Sequence, residues 1–511
     1  MWGKKNMQTL RSKSFHEQIV GCLSVLLFSV VLIIKLIAQF IYGITLPITF
    51  IFIISLVCFY IVLRKHTNII NGIEKTLSPL SNLSVVKLSI IVFLVSFITK
   101  LAFGIILHVD SSIMNTDIKV YQVVAQEIAD YGRVTSYADY CNSFPHILWF
   151  GLILSPIVRV FGSSPLGFCI YLDLLLSFSC VCLFNVFKRL SKIKSFIAII
   201  VYSLLPSTVV LPQFVTHEIA LLFFLSIGLW LFFGSVAQTN SRNKIILFST
   251  SAIVISISSQ INAIGLIAIV SVLIYCLFFN KDEKLFVRII KCIAIVMTFL
   301  LVSSSMNMGK VQLLDSQKLS SLKVNGIEWT LYIGANTEKH GGFSDEDLER
   351  WGYNSEDSNT FEEKGLSDDQ VTEIRHNLLF QRYSELIKNP KGLLANILVK
   401  SLRIWAYCNY PLSELTAKYN NLYSEWIKPL LSAFELYLSL ICLVLALTSM
   451  RKTNLLKRGE YQFSILFLIG STIMFLVTEC TSKYTISMQP FFWIILFLNI
   501  GRDNILTRTM K

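Results

Sequence analysis

The chain has 511 residues, 54% of them hydrophobic and only 15% charged, with a formal net charge of +13 and a mean hydropathy of +0.62. A soluble domain of that make-up would have an apolar surface, so the composition excludes one and indicates many bilayer-crossing helices. The excess positive charge does not mark a nucleic-acid face. Residues 308–391 hold ten Lys and Arg against fifteen Asp and Glu, a net of −5, and the remaining +18 lies largely in short loops between apolar runs. That is the positive-inside pattern, so no nucleic-acid partner is expected.

In chain order, Lys4, Lys5, Arg11 and Lys13 precede an apolar run from Ile19. The run is too long for a signal-peptide core and has no small-residue cleavage site, so it reads as a retained first span. With the N-terminus inside, spans near 18–41 and 47–63 lead to the basic loop "RKHTNIINGIEKTLSPLSNLSVVK", and a span near 88–107 then emerges outside. His146 to Phe161 is short and holds Pro156 and Arg159. It reads as re-entrant or interfacial, which keeps "KRLSKIK", "SRNK", "KDEK" and "RKTNLLKR" inside. Further spans are expected near 168–187, 194–211, 218–236, 245–260, 263–279, 289–305, 427–450, 460–478 and 484–500.

The expectation is an all-α polytopic membrane protein with about 12 transmembrane helices and both termini cytoplasmic. Its segments are 1–107 (first spans), 108–162 (first external loop), 163–305 (transmembrane core), 306–395 (a small external region) and 396–511 (an interfacial helix and the last spans). The 11 cysteines show no CxxC pair and read as small core residues. No internal repeat is evident.

The first external loop carries "NTDIKVYQVVAQEIADYG". Ile118, Tyr121, Val124, Ile128 and Tyr131 fall on one helical face, Lys119, Gln122, Gln126, Glu127 and Asp130 on the other. Such a helix lies along the membrane surface and ends at Gly132. Asp117 at its start is either a first-turn acid favoured by the helix dipole or a general base held at the depth of a lipid-borne donor. Asp110 is a second acid, a metal ligand or plain loop. His146 enters the half-buried segment, and His217 and Glu218 open an apolar run, where an ionisable group is a functional candidate. Asp173 meets the same rule with no partner evident. Glu479, Lys483 and Tyr484 fall between the last two spans. Lys483, or Arg403 with Lys400 on an amphipathic stretch, would hold a phosphate or merely snorkel to the interface.

Asp117, Tyr121 and Gly132, followed by "FPHILWF…RVFGSSPLGF", "PQFVTHE" and "E…KYTISMQP", resemble lipid-dependent glycosyltransferases of the GT-C fold. The likeness is to family 39, which includes dolichyl-phosphate-mannose protein mannosyltransferases and bacterial aminoarabinose transferases. It runs over about residues 86 to 500. "YIGANTEKHGGF" and "RIWAYCNYP" look like features of bacterial relatives. Ile118 stands where many relatives have a second acid, and Lys483 where an Arg is common before the Tyr.

The resemblance implies a GT-C-like fold and transfer of a sugar from a polyprenyl-phosphate donor to a cell-envelope glycan, lipid or protein acceptor. Asp117 would be the base and Asp110, Tyr121, His146, His217, Glu218, Arg403, Glu479, Lys483 and Tyr484 would bind substrate. It implies no certain cofactor and leaves a divalent metal open. The segments placed outside lack an Asn-x-Ser/Thr sequon, which leans towards a bacterial plasma membrane. Two rival classes are an envelope polysaccharide polymerase or ligase, and a lipid-linked-sugar flippase or transporter.

Overall fold

A computed structural model describes residues 15–42, 79–107, 116–280, 283–314, 326–352, 361, 364–406, 427–449 and 454–500. These are helical apart from turns and one isolated parallel pairing of Val134 with Leu314. The helices are α1 (Phe15–Tyr42), α2 (Val85–Leu107), α3 (Thr116–Tyr131), α4 (Ala138–Ser143), α5 (Pro145–Phe161), α6 (Pro165–Phe187), α7 (Lys192–Leu204), α8 (Pro206–Val210), α9 (His217–Val236), α10 (Ser241–Ile261), α11 (Ile264–Ile274) and α12 (Leu285–Leu313). After these come α13 (Gly326–Gly334), α14 (Asp345–Arg350), α15 (Asp368–Lys388), α16 (Pro390–Trp405), α17 (Lys428–Ser449), α18 (Gly459–Val477) and α19 (Gln489–Asn499).

Among the described residues, 8 helices are long and apolar enough to cross a bilayer: α1, α2, α6, α9, α10, α12, α17 and α18. A ninth crossing arises if α7 and the Pro206–Gln213 segment, bent by 62°, count as one broken span. The chain is therefore an all-α, polytopic membrane protein, with 8 or 9 full-length spans among the described residues. The expected span at 47–63 lies outside the described residues. The stretch 263–279 is helical nearly throughout, the 11-residue α11 running into a π-helical turn, Tyr275–Phe279, and is short for a full crossing. The stretch 484–500 loses its first turns to a 3-10 helix, Ser482–Ser487, and α19 has only 11 residues.

Side-chain size decides how closely the spans pack. α9 lies against α6 and α10, and α2 against α6. At Gly228 of α9 a Cβ would sit 3.3 Å from the Ile255 backbone nitrogen of α10, so those two helices meet almost backbone to backbone. α12 is the opposite case: Ile295 is its single buried residue, while Phe286, Ile293, Leu301 and others are exposed. A hydrocarbon solvent accepts such a surface where water does not.

α5, at 17 residues, is shorter than the ~20 a crossing needs. It is wedged among α3, α6, α9 and α10. α3 lies on it so closely that a Cβ on Gly151 would collide with Val124. The buried face of α3 is Ile118, Tyr121, Val124, Ala125 and Ile128, which differs at its end from the expected face. Tyr131 is exposed and Glu127 buried, because Gly132 (φ 70°) turns the chain back and lays residues 134–136 over Glu127.

α12 continues unbroken to Leu313, past the expected boundary at 305. Beyond it, Trp329, Tyr332, Ile333 and Trp351 form a small separate core. Arg382 on α15 locks that core, reaching Asp347 at 2.5 Å and the Tyr332 hydroxyl at 2.9 Å. The expected interfacial helix α16 does not let Lys400 snorkel. Lys400 is fully buried and donates to the carbonyls of Gly334 (2.7 Å), Leu476 (3.1 Å) and Thr478 (2.7 Å). It thereby caps the C-terminal ends of α13 and α18, where carbonyls lack intrahelical partners and the helix dipole favours a cation. Burial pulls its pKa down from 10.5 to about 8.

Replacing Lys400 with Met keeps the stem and removes the donors, leaving three carbonyls without this partner. Orphaned buried groups cost about 1–3 kcal/mol each, so Lys400→Met should lower the thermal midpoint in detergent by several degrees. An unchanged midpoint would mean that Lys400 does not hold α13 and α18 to α16.

Candidate functional site

Tyr121 stands one turn after Asp117 on α3. The side chain of Asp117 and the whole of Asp110 lie outside the described residues; the backbone of Asp117 is in the first turn of α3. Tyr121 is buried, its ring edge-on to Phe150 of α5 at 5.0 Å between centroids. Its hydroxyl is 2.9 Å from Nδ1 of His217. His217 is the first residue of α9, preceded by extended Thr216 at the N-cap (φ −125°, ψ 133°). That extended entry, after the bend at Pro206, points the first helical side chains back towards α3 and α5. The other ring nitrogen of His217 is 3.1 Å from Nδ2 of Asn262 and 3.5 Å from Oε1 of Glu218. The His146 ring, from α5, stands 4.9 Å from it.

Glu218 is fully buried. One carboxylate oxygen accepts from the Thr216 hydroxyl; the other makes no hydrogen bond among the described residues. The basic side chains acting on Glu218 are those of Lys483 and His146. Lys483 sits in the Ser482–Ser487 turn, which packs on the start of α9. Its ammonium lies 5.5 Å from the Tyr484 ring centre, and Tyr484 stacks on Phe475 at 5.9 Å.

Of the residues singled out from sequence, Tyr121, His146, His217, Glu218 and Lys483 thus come together, with Tyr484 beside them. Two others are engaged by backbone. Arg403 donates to the carbonyls of His340 (2.7 Å), Cys480 (3.3 Å) and Lys339 (3.1 Å). Glu479 is held through its own N–H on the Thr330 carbonyl at 2.7 Å. Among the described residues no three His, Cys, Asp or Glu side chains group to hold a metal ion.

Four residues escape sequence reasoning. Asn262 looks like a turn residue between two spans, yet it reaches His217. Lys100 disappears inside an apolar helix, yet it is fully buried and donates to Ser96 Oγ at 2.5 Å. Ser177 bridges from Ser96 (3.1 Å) to Asp173 (3.1 Å), which supplies the partner that Asp173 lacked; a lysine one span away is not visible as such in a linear reading. Glu127 takes donors from Thr135 and Ser136: their N–H groups at 2.7 and 3.1 Å, the Thr135 hydroxyl at 3.0 Å, and the Ser136 hydroxyl.

The cluster can exchange protons through His217 and Tyr121, and its lysine can meet an anion. No family model, curated protein or solved structure matches the chain.

The Glu127 cradle has a pH signature. Burial pushes its carboxyl up, but the bonds from Ser136 and Thr135 outweigh burial and hold the pKa below the ordinary 4.5. A depressed folded pKa stabilises above the unfolded value, and that contribution is lost as pH falls through the folded one. Amides of residues 132–136 should therefore exchange hydrogen faster, relative to the intrinsic rate, as pH drops below about 4.5. In Glu127→Gln the extra acid sensitivity should be gone.

Proposed function

We propose that the protein is a glycosyltransferase that takes a sugar from a polyprenyl-phosphate donor to a cell-envelope glycan, lipid or protein acceptor. The reaction belongs on the outer face of a membrane, in this reading a bacterial plasma membrane with both termini cytoplasmic. The observation that carries the reading is the 2.9 Å contact of Tyr121 with His217. It ties α3, whose first turn holds Asp117, to the buried His217–Glu218 pair and the half-buried Lys483 at the mouth of α9.

In the proposed step Asp117 accepts the proton of an acceptor hydroxyl or amine. The freed electron pair attacks the anomeric carbon from the face opposite the phosphate. The carbon–oxygen bond to phosphate breaks as the new bond forms, inverting the centre, and polyprenyl phosphate leaves with the electron pair. Lys483 is the cation nearest the cluster for that leaving charge, and preorganised cations in a dry site are effective there. The departure from a common Arg gives up bidentate geometry and keeps only a point charge.

A second reading, transport of a lipid-linked sugar, is favoured by the buried intramembrane charges. Lys100 and Asp173 are one set; the other is Lys35, whose ammonium meets the Ala406 carbonyl at 3.0 Å, with Glu435, which accepts from Ser207 N–H at 2.5 Å. Charges at such depth are costly unless they serve a pathway or a fold. A polymerase or ligase, the third class, would lean on late-loop basic and His residues, and an essential Asp117 would speak against it.

The test uses full-length protein in nanodiscs with radiolabelled polyprenyl-phosphate sugars and a cell-envelope extract as acceptor. Wild type should release polyprenyl phosphate, and folded Asp117→Asn should be slower by about 10²–10⁴-fold. Equal turnover by both would remove Asp117 from the chemistry. Donor crossing the bilayer without being consumed would favour transport.

A further inference from the structure

α11 ends in the π-helical turn Tyr275–Phe279, a form that recurs at functional positions. α12 packs beside that turn, and the two leave a cavity of about 400 Å³. Leu273, Leu277 and Phe278 wall it on one side, Cys292, Val296 and Met297 on the other. The walls are apolar throughout, and the volume falls within the ~300–1,000 Å³ of small-molecule sites. Phe278 and Met297 are exposed, so the cavity opens sideways, to the bilayer, and not into the bundle.

Charge gathers at one end of it. At ~1.5 Å per residue, Arg288 stands about 6 Å along α12 from Cys292, and Lys284 about 6 Å further out. Arg288 spends one N–H on the carbonyl of Leu277, at 2.8 Å, which sets the guanidinium over that end of the cavity. Its Nε is buried and makes no hydrogen bond among the described residues. Glu283, beside Lys284 in the chain, is taken by Lys244 at 2.6 Å and by Lys291 at 2.5 Å. Among the described residues no carboxylate pairs with Arg288 or Lys284. A guanidinium partly withdrawn from water is costly without a counter-charge, and its planar fork fits the oxygens of a phosphate.

The walls call for an apolar chain and the end calls for an anion. A soluble anion would leave the walls unfilled, and a lipid without net charge would leave Arg288 and Lys284 uncompensated. We propose that this cavity binds an anionic phospholipid, with one acyl chain between Leu277 and Val296 and the phosphate beside Arg288 and Lys284. The site shares no residue with the Tyr121–His217 cluster and does not depend on the glycosyltransferase reading.

The experiment is photolabelling of the full-length protein in phosphatidylcholine liposomes. Two trace probes, phosphatidylglycerol and phosphatidylcholine, carry the same diazirine-bearing acyl chain, and adducts are mapped by peptide mass spectrometry. The phosphatidylglycerol probe should label 273–278 and 292–297 about tenfold more than the other, as for one hydrogen bond to a charge. Excess unlabelled phosphatidylglycerol should abolish that difference. Equal labelling by the two probes, or labelling that unlabelled phosphatidylglycerol does not displace, is ordinary lipid contact and overturns the proposal without any variant having to fold.

In Arg288→Gln the two probes should come to near parity, and Val296→Trp, which fills the cavity, should remove the labelling by both. An unchanged ratio in the first, or unchanged labelling in the second, overturns the placement of head or chain. Polyprenyl phosphate that displaces the probe at a lower mole fraction than phosphatidylglycerol does would seat the lipid donor there and overturn the choice of a phospholipid.

Discussion

Inside a bilayer a polar group must be satisfied by protein, since no water is there to do it. The buried lysines among the described residues obey this constraint by meeting oxygens, Lys35 and Lys400 those of another part of the chain and Lys100 those of Ser96 one turn back on α2. Lys400 collects three carbonyls from α13 and α18, Lys35 takes the carbonyl of Ala406, and Lys100 takes Ser96 and, through Ser177, leads to Asp173. The same rule governs the breaks in the spans. Where the backbone bends at Pro206, the freed N–H of Ser207 is taken by Glu435 from α17. Where α10 stops, Asn262 caps α11 and meets His217. Irregular backbone therefore sits where side chains can serve it, and the candidate site grows out of one such place.

The same constraint explains which contacts are selective. Near α3 and α5, packing is governed by Gly151 and Val124, and the polar link is the Tyr121–His217 bond. The glycine lets the two helices touch; the bond fixes which way α3 is turned about its axis. A rotation of α3 by one residue would carry Tyr121 about 100° away from His217. The position of the Asp117 backbone at the head of α3 follows from that bond.

Hydropathy and charge made the membrane class legible, and the long spans fall close to their expected places because an apolar run of that length has few other uses. The shortness of α5 was legible too, from the length of its apolar run. The shortening of the last span was not, because a continuous apolar run does not reveal the 3-10 turn that precedes α19. In the site, His217 and Glu218 stood out because ionisable groups at the head of an apolar run are rare. Asn262 and Lys100 did not, since their meaning lies in a partner 45 residues away for one and on another span for the other. Arg403 and Lys400 looked like ligand cations because a linear reading cannot see carbonyls arriving from α13 and α18.

α12 has a further consequence. Its 29 residues make a rod of about 43 Å, against a hydrocarbon layer of ~30 Å. It is nearly bare along its length and held at both ends: near its start Arg288 donates to the Leu277 carbonyl at 2.8 Å, and near its finish Trp149 lies 3.5 Å from the place of a Gly309 Cβ, Lys310 holds Asn142 at 2.9 Å, and Leu314 pairs with Val134. A bare rod longer than its layer answers a change of bilayer thickness by tilting. One of the two ends that tilting would strain is joined, through Val134, to the chain leaving α3.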